Sequence, residues 1–95
     1  MKMIYIAFAK ENMYMQWRLT KNVLNEGHIP INPFMLTDYY LADSVEEDLL
    51  RDMNNALVAR CDEVWVFGKI SDGVEREIGI AEKEGIPVRY RAFPG

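Results

Sequence analysis

Two short runs of nearly unbroken apolar residues, Lys2 to Ala9 and Glu63 to Phe67, constrain this chain more than any other feature. A strand with one face in water alternates apolar and polar residues. A run without alternation, such as Ile4-Tyr5-Ile6 or Val64-Trp65-Val66, belongs to a strand covered on both faces, as in a parallel sheet between helices. Helical signals separate the runs. From Asn12 to about Glu26, Met13, Trp17, Thr20 and Leu24 share one side, and Gly27 ends the pattern. Ser44 and Glu47 form a capping box ahead of a stripe of Leu49, Leu50, Met53, Ala56 and Leu57. A third helix runs from the Ser71 region to Glu84 and closes at Gly85. Two further strands are expected, His28 to Asn32, placed at a sheet edge by Pro30, and Pro87 to Tyr90. Pro33 to Asp43 reads as an irregular, aromatic-rich stretch forming a lid or packing surface.

Strands alternating with helices imply right-handed crossovers. The expected fold is α/β, a flavodoxin-like three-layer sandwich with a four-stranded parallel sheet in the order 2-1-3-4 and three main helices. With 95 residues there is room for one domain, spanning 1–95. Ligands of such sheets bind at the carboxyl ends of the strands, beside the switch point between the first and third. That gathers Ala7 to Asn12, Gly68 to Gly73 and the loop after the second strand around one crevice.

Composition narrows the function. A net charge of -4 disfavours a nucleic-acid polymer as partner, since such binding rests on a basic face. His28 and Cys61 are single and belong to no ligand-spaced set, so neither metal nor cofactor is expected. The opening apolar run is too short for a signal peptide or a membrane span, and the lone cysteine fits a cytoplasmic protein without disulfides. So small a core without a staple makes self-association, most simply a homodimer, the expectation.

The segment Ser71 to Ala81 carries the most chemistry. Ser71 and Asp72 suit a helix N-cap, and Gly73 lets a ligand approach the backbone; they either cap the helix or seat an anion. Glu77 falls between Val74, Ile78 and Ala81, which should face the sheet. A carboxylate there is either ion-paired, with Arg60, Lys69 or Arg51, or borders a wet cleft as a nucleophile or general base. Asp48 and Asp52 read as a solvated face, and His28 as a surface residue.

The strand Met3 to Ala7, the phrases Glu26 to Pro33 and Cys61 to Gly68, the segment Ser71 to Ala81 and Gly85-Ile86-Pro87-Val88 together resemble nucleoside 2-deoxyribosyltransferase-like proteins, over nearly the whole chain. The resemblance implies that Glu77, followed by Ile78-Gly79, attacks the anomeric carbon of a (deoxy)nucleoside or its 5′-monophosphate. It further implies a 5′-phosphate seat at Ser71 and Gly73. The substrate-binding residues expected from the whole reading are Tyr5, Ala7, Phe8, Tyr39, Asn54, Gly68, Ser71, Asp72 and Gly73, with Tyr5, Phe8 and Tyr39 as base neighbours and Ser71 and Gly73 as a phosphate or ribose seat. The related enzymes are oligomers. The sequence departs from them in having Phe8-Ala9-Lys10-Glu11 in place of a glycine-containing loop, and Asn54 where many carry an aspartate. An amide positions a sugar or base but does not exchange protons in the usual way. The expected function is therefore N-glycosidic cleavage or transfer, and the alternative is a non-catalytic nucleotide-binding module of the same fold.

Overall fold

The computed structural model describes residues 1–37 and 44–95. Its strands are β1 (Met3–Phe8), β2 (Ile29–Ile31), β3 (Glu63–Phe67) and β4 (Val88–Arg91), all parallel, in the order β2-β1-β3-β4. The expected fold class and strand order are those observed. Tyr5 stands opposite Ile31 on one side and Val64 on the other, and Val66 stands opposite Tyr90. The two unbroken apolar runs are the two central strands, because only these lose solvent on both faces. Pro30, which lacks an N–H to donate, sits on the edge strand β2 as expected.

The period-two alternation of each strand divides the core in two. Tyr5, Ala7, Val64 and Val66 point to one face and pack on Val58 of α3 (Glu47–Arg60) and on Val74, Ile78 and Ala81 of α4 (Asp72–Lys83). Ile4, Ile6, Phe8, Trp65 and Phe67 point to the other and pack on Met15, Leu19 and Val23 of the first helical segment. Gly27 and Gly85 end helices in the left-handed region, at φ 85° and 71°. Each is followed by an amide that reaches back to close the last turn, His28 to Val23 and Ile86 to Ala81.

Three expectations are corrected. The first helix is not continuous from Asn12: a 3-10 turn at Lys10–Met15, kinked at Asn12, precedes α1 (Gln16–Asn25). Its inward stripe is Met15, Leu19 and Val23, whereas Trp17 and Leu24 are 71% and 56% exposed. This helix carries two apolar stripes, and the aliphatic one fits the sheet without burying an indole N–H that would need a partner. Next, Pro33–Thr37 is not irregular but a short helix, α2, whose Phe34 amide donates to the Asn32 side chain at 3.0 Å. Lastly, α3 begins at Glu47 after Glu46 with no side-chain cap, so the Ser44 capping box does not set its start. Within the stripe read for it, Leu49 is 61% exposed and Ala56 is also exposed, while Val58 is the buried residue. Tyr39, Tyr40 and Leu41 lie outside the described residues.

The α1 face of β3 and β4 is closed by charge. The buried Glu63 carboxylate accepts from Lys2 Nζ at 2.7 Å, Arg89 Nε at 2.8 Å and Trp65 Nε1 at 2.9 Å. The Arg89, Lys2 and Trp65 hydrogen bonds hold its pKa down at about 2. The Arg91 guanidinium lies 4.2 Å from the Trp65 ring centroid and pairs with Glu26 at 2.6 Å. His28 packs edge-on against the same indole. Among the described residues, no helix is long and apolar enough to cross a membrane.

Candidate active site

α4 is placed by its ends and its stripe. Ser71 is the N-cap, its Oγ accepting from the Val74 amide at 3.3 Å. Val74, Ile78 and Ala81 then dock on the sheet, and Glu77, adjacent to that stripe, is carried toward it. The partner it meets is Tyr5, fully buried in the middle of β1, whose hydroxyl donates to Glu77 Oε2. None of the three cations weighed as ion-pair partners for Glu77 holds it. Arg60 donates to the Ala56 carbonyl, Lys69 pairs with Glu11, and Arg51 pairs with Asp48 and Glu47.

Burial is the largest influence on Glu77 and raises its pKa to about 7, against the lowering effect of the Tyr5 hydrogen bond and the Arg76 charge. The Tyr5 phenol is pushed far above its ordinary value, by burial first and by Glu77 second, so it stays a neutral donor at every working pH. Glu77 therefore changes charge near neutrality while its hydrogen-bond partner does not.

Glu77 opens onto a cleft of about 460 Å³ above the carboxyl end of β1, between α3 and α4. Phe8 and Ala9 supply the strand end, Lys10 and Glu11 the turn that follows, and Pro33 and Phe34 a wall from α2. Leu50, Arg51, Asn54 and Asn55 line it from α3, and Ser71, Gly73 and Arg76 from the start of α4. Phe8 and Phe34 stand 5.1 Å apart at 55°, an apolar side suited to a planar ring. Among the described residues, Asn54 Oδ1 is buried without a hydrogen-bond partner, an orphaned acceptor beside the cleft.

Of the residues named from sequence, the structure brings Glu77, Phe8, Asn54, Ser71 and Gly73 together in this cleft. Tyr5 joins them only through Glu77. Ala7, Gly68 and Asp72 do not line it. Ala7 is buried in the core beneath, and Asp72 is exposed on the first turn of α4. Gly68 turns the chain at φ 72° under the Phe93 ring, where a Cβ would lie 2.4 Å from Phe93 Cζ. Its glycine serves packing and chain reversal. Tyr39 falls outside the described residues. Sequence reasoning placed Lys10 at the crevice, within Ala7 to Asn12, but missed Arg51 and Arg76 as cleft residues. For Arg76 the signal was present: positions 73, 76 and 77 share one helical face.

A parallel four-stranded sheet with an acidic group in a cleft at its strand ends defines an α/β domain of the flavodoxin-like kind. Residues 3–91 match the family described as "Domain of unknown function (DUF7768)", and the chain belongs to that family. No curated protein sequence matches it. Among solved structures it is similar to the Clostridium botulinum CMP N-glycosidase BcmB, with a TM-score of 0.70 over 96% of this chain and 69% of that one. The identity is 19%, so the likeness is one of fold.

Proposed function

We propose that the cleft binds a (deoxy)nucleoside or its 5′-monophosphate and cleaves or transfers its N-glycosidic bond, with Glu77 as nucleophile. The observation carrying this reading is a partly buried carboxyl that faces a cleft at the strand ends and is held by a neutral phenol rather than by a cation. An ion-paired glutamate would be a structural element; one held by Tyr5 keeps a lone pair for an incoming carbon. The fold shared with a CMP N-glycosidase and the resemblance to nucleoside 2-deoxyribosyltransferase-like proteins support the same assignment.

In this mechanism a Glu77 oxygen bonds to C1′ while the C–N bond breaks, and the base departs with the electron pair and gains a proton. Tyr5 holds Oε2 and steadies the carboxylate when the ester is later opened. Water or a second base then attacks C1′ and releases Glu77, with net retention. Phe8 and Phe34 would flank the base, and Ser71 and Gly73 the ribose or phosphate. Only ionised Glu77 attacks, so kcat/KM rises with pH and levels off above a midpoint near about 7, the free protein's value.

Incubating the protein with a panel of nucleosides and monophosphates and measuring free base tests the reading. Release should fall by roughly 10³-fold or more in Glu77→Gln. Turnover that survives this substitution refutes the nucleophile. A second reading, a binding module without catalysis, is favoured by Asn54, an amide where proton transfer would need an acid. It is the outcome if monophosphates bind and no base appears. We further place the protein in the cytoplasm, where the free, buried Cys61 suits a reducing compartment. We also infer a homodimer from the outward apolar stripe of the first helical segment.

A further inference from the structure

Charge around the cleft separates two substrate classes that the proposed reaction leaves together. The charged residues lining it are Lys10, Glu11, Glu47, Arg51, Arg76 and Glu77. Glu11 is taken up by Lys69 at 2.9 Å, and Arg51 by Asp48 at 3.0 Å and Glu47 at 3.6 Å. Glu77 is engaged by Tyr5. Lys10 and Arg76 remain, both exposed and both without a carboxylate partner among the described residues. In a chain of net charge -4, the six charges lining the cleft sum to zero, three cations against three carboxylates, so the cleft is less acidic than the chain as a whole and Lys10 and Arg76 are the lining charges open to an anion. Arg76 lies three residues after Gly73 and one before Glu77, so its guanidinium borders the cleft between the helix start and the carboxyl group.

We propose that Arg76, assisted by Lys10, makes this cleft selective for substrates bearing a phosphomonoester over the corresponding neutral nucleosides; the inference rests on the reading of the cleft as a nucleoside or nucleotide site. A guanidinium presents a planar fork of donors that matches two phosphate oxygens at once, and a lysine ammonium adds a point charge. A 5′-hydroxyl offers one weak acceptor and no charge, so it draws little from either cation. The Arg76 charge also acts on Glu77, favouring its ionised form, and so opposes the repulsion between a bound phosphate and the carboxylate.

Binding is measured by calorimetry on the Glu77→Gln protein, which removes turnover from the readout, using AMP, CMP, GMP and UMP, each against its nucleoside. Each monophosphate should bind about tenfold or more tightly than its nucleoside at low salt, a ratio that shrinks at about 0.5 M salt. Adding Arg76→Gln should bring the ratio to within about twofold, and Arg76→Lys should restore part of it. Arg18→Gln, which removes the same charge from α1 across the sheet, should leave the ratio in place. A ratio near one before Arg76 is changed, or a ratio that Arg76→Gln leaves intact, overturns the inference. Monophosphate preference with no base release by the native protein counts against Glu77 chemistry alone, whereas release with a ratio near one counts against Arg76 alone. Failure of every compound to bind overturns both.

Discussion

Replacing Glu77 with glutamine keeps the side chain's size and leaves Tyr5 a carbonyl oxygen to donate to, while removing a carboxyl whose pKa stands near about 7 in the folded protein. The reference value is 4.5, so the folded pKa is raised, and the folded state binds a proton more tightly than the unfolded chain. The stability this group contributes is fully present below about pH 4.5 and is lost as pH rises through about 7. The difference between about 7 and 4.5 is about 2.5, and at 1.36 kcal/mol per unit this is about 3 kcal/mol. Because the carboxyl borders a wet cleft, about 2 kcal/mol is the better expectation. The variant should therefore melt within a few degrees of the native protein at pH 5 and about 10 °C above it at pH 8.5. Differential scanning fluorimetry of the pair across this range isolates Glu77, since every other titration cancels. A difference that does not change with pH refutes the linkage argument, and a variant destabilised throughout assigns Glu77 a structural role. Stability lost at working pH is a common consequence of placing an acid where chemistry needs it.

Glu63 follows the opposite sign: its pKa is lowered to about 2, so its contribution is present above 4.5 and lost as pH falls through about 2. Glu63→Gln should lose about 1 to 2 kcal/mol at pH 7, after allowance for the exposure of Lys2 and Arg89, and the deficit measured by urea unfolding should shrink toward pH 2. Gly68→Ala should cost about 2 kcal/mol or more, from left-handed backbone and from contact with Phe93; adding Phe93→Ala should recover the contact part, which a double-mutant cycle reads. Light scattering at micromolar concentration should give about twice the 11.1 kDa chain mass, with Trp17→Glu shifting the protein to monomer; a native mass near 11.1 kDa refutes the dimer. The apolar surface behind that expectation is Tyr14, Trp17 and Leu24, 75%, 71% and 56% exposed.

Much of the fold was legible because it depends on local signals. Unbroken apolar runs identify central strands, Pro30 marks an edge, and Gly27 and Gly85 end helices through a backbone conformation few other residues adopt. The same logic put Glu77 beside an inward stripe and Ser71 at a cap. It failed for the first helix, where periodicity offered two stripes and no rule of spacing chose between them. It failed again at Gly68, read as a ligand contact, because the Phe93 ring that occupies its open side is far along the chain.

The sequence by itself determined the order of the strands and the three main helices, the parallel sheet and the candidate nucleophile's position on its helix, since each follows from the identities of residues a few positions apart. Tertiary structure alone decided what Glu77 touches. Tyr5 lies 72 positions away, and their pairing exists only because β1 and α4 pack face to face. Likewise Glu63 gathers Lys2 and Arg89 across two strand pairings, while Glu11 pairs with Lys69 and Glu47 with Arg51, and Arg76 has no carboxylate ion pair among the described residues. Such outcomes turn on which charges meet in space. No periodicity encodes them, because a contact between distant residues has no fixed spacing along the chain.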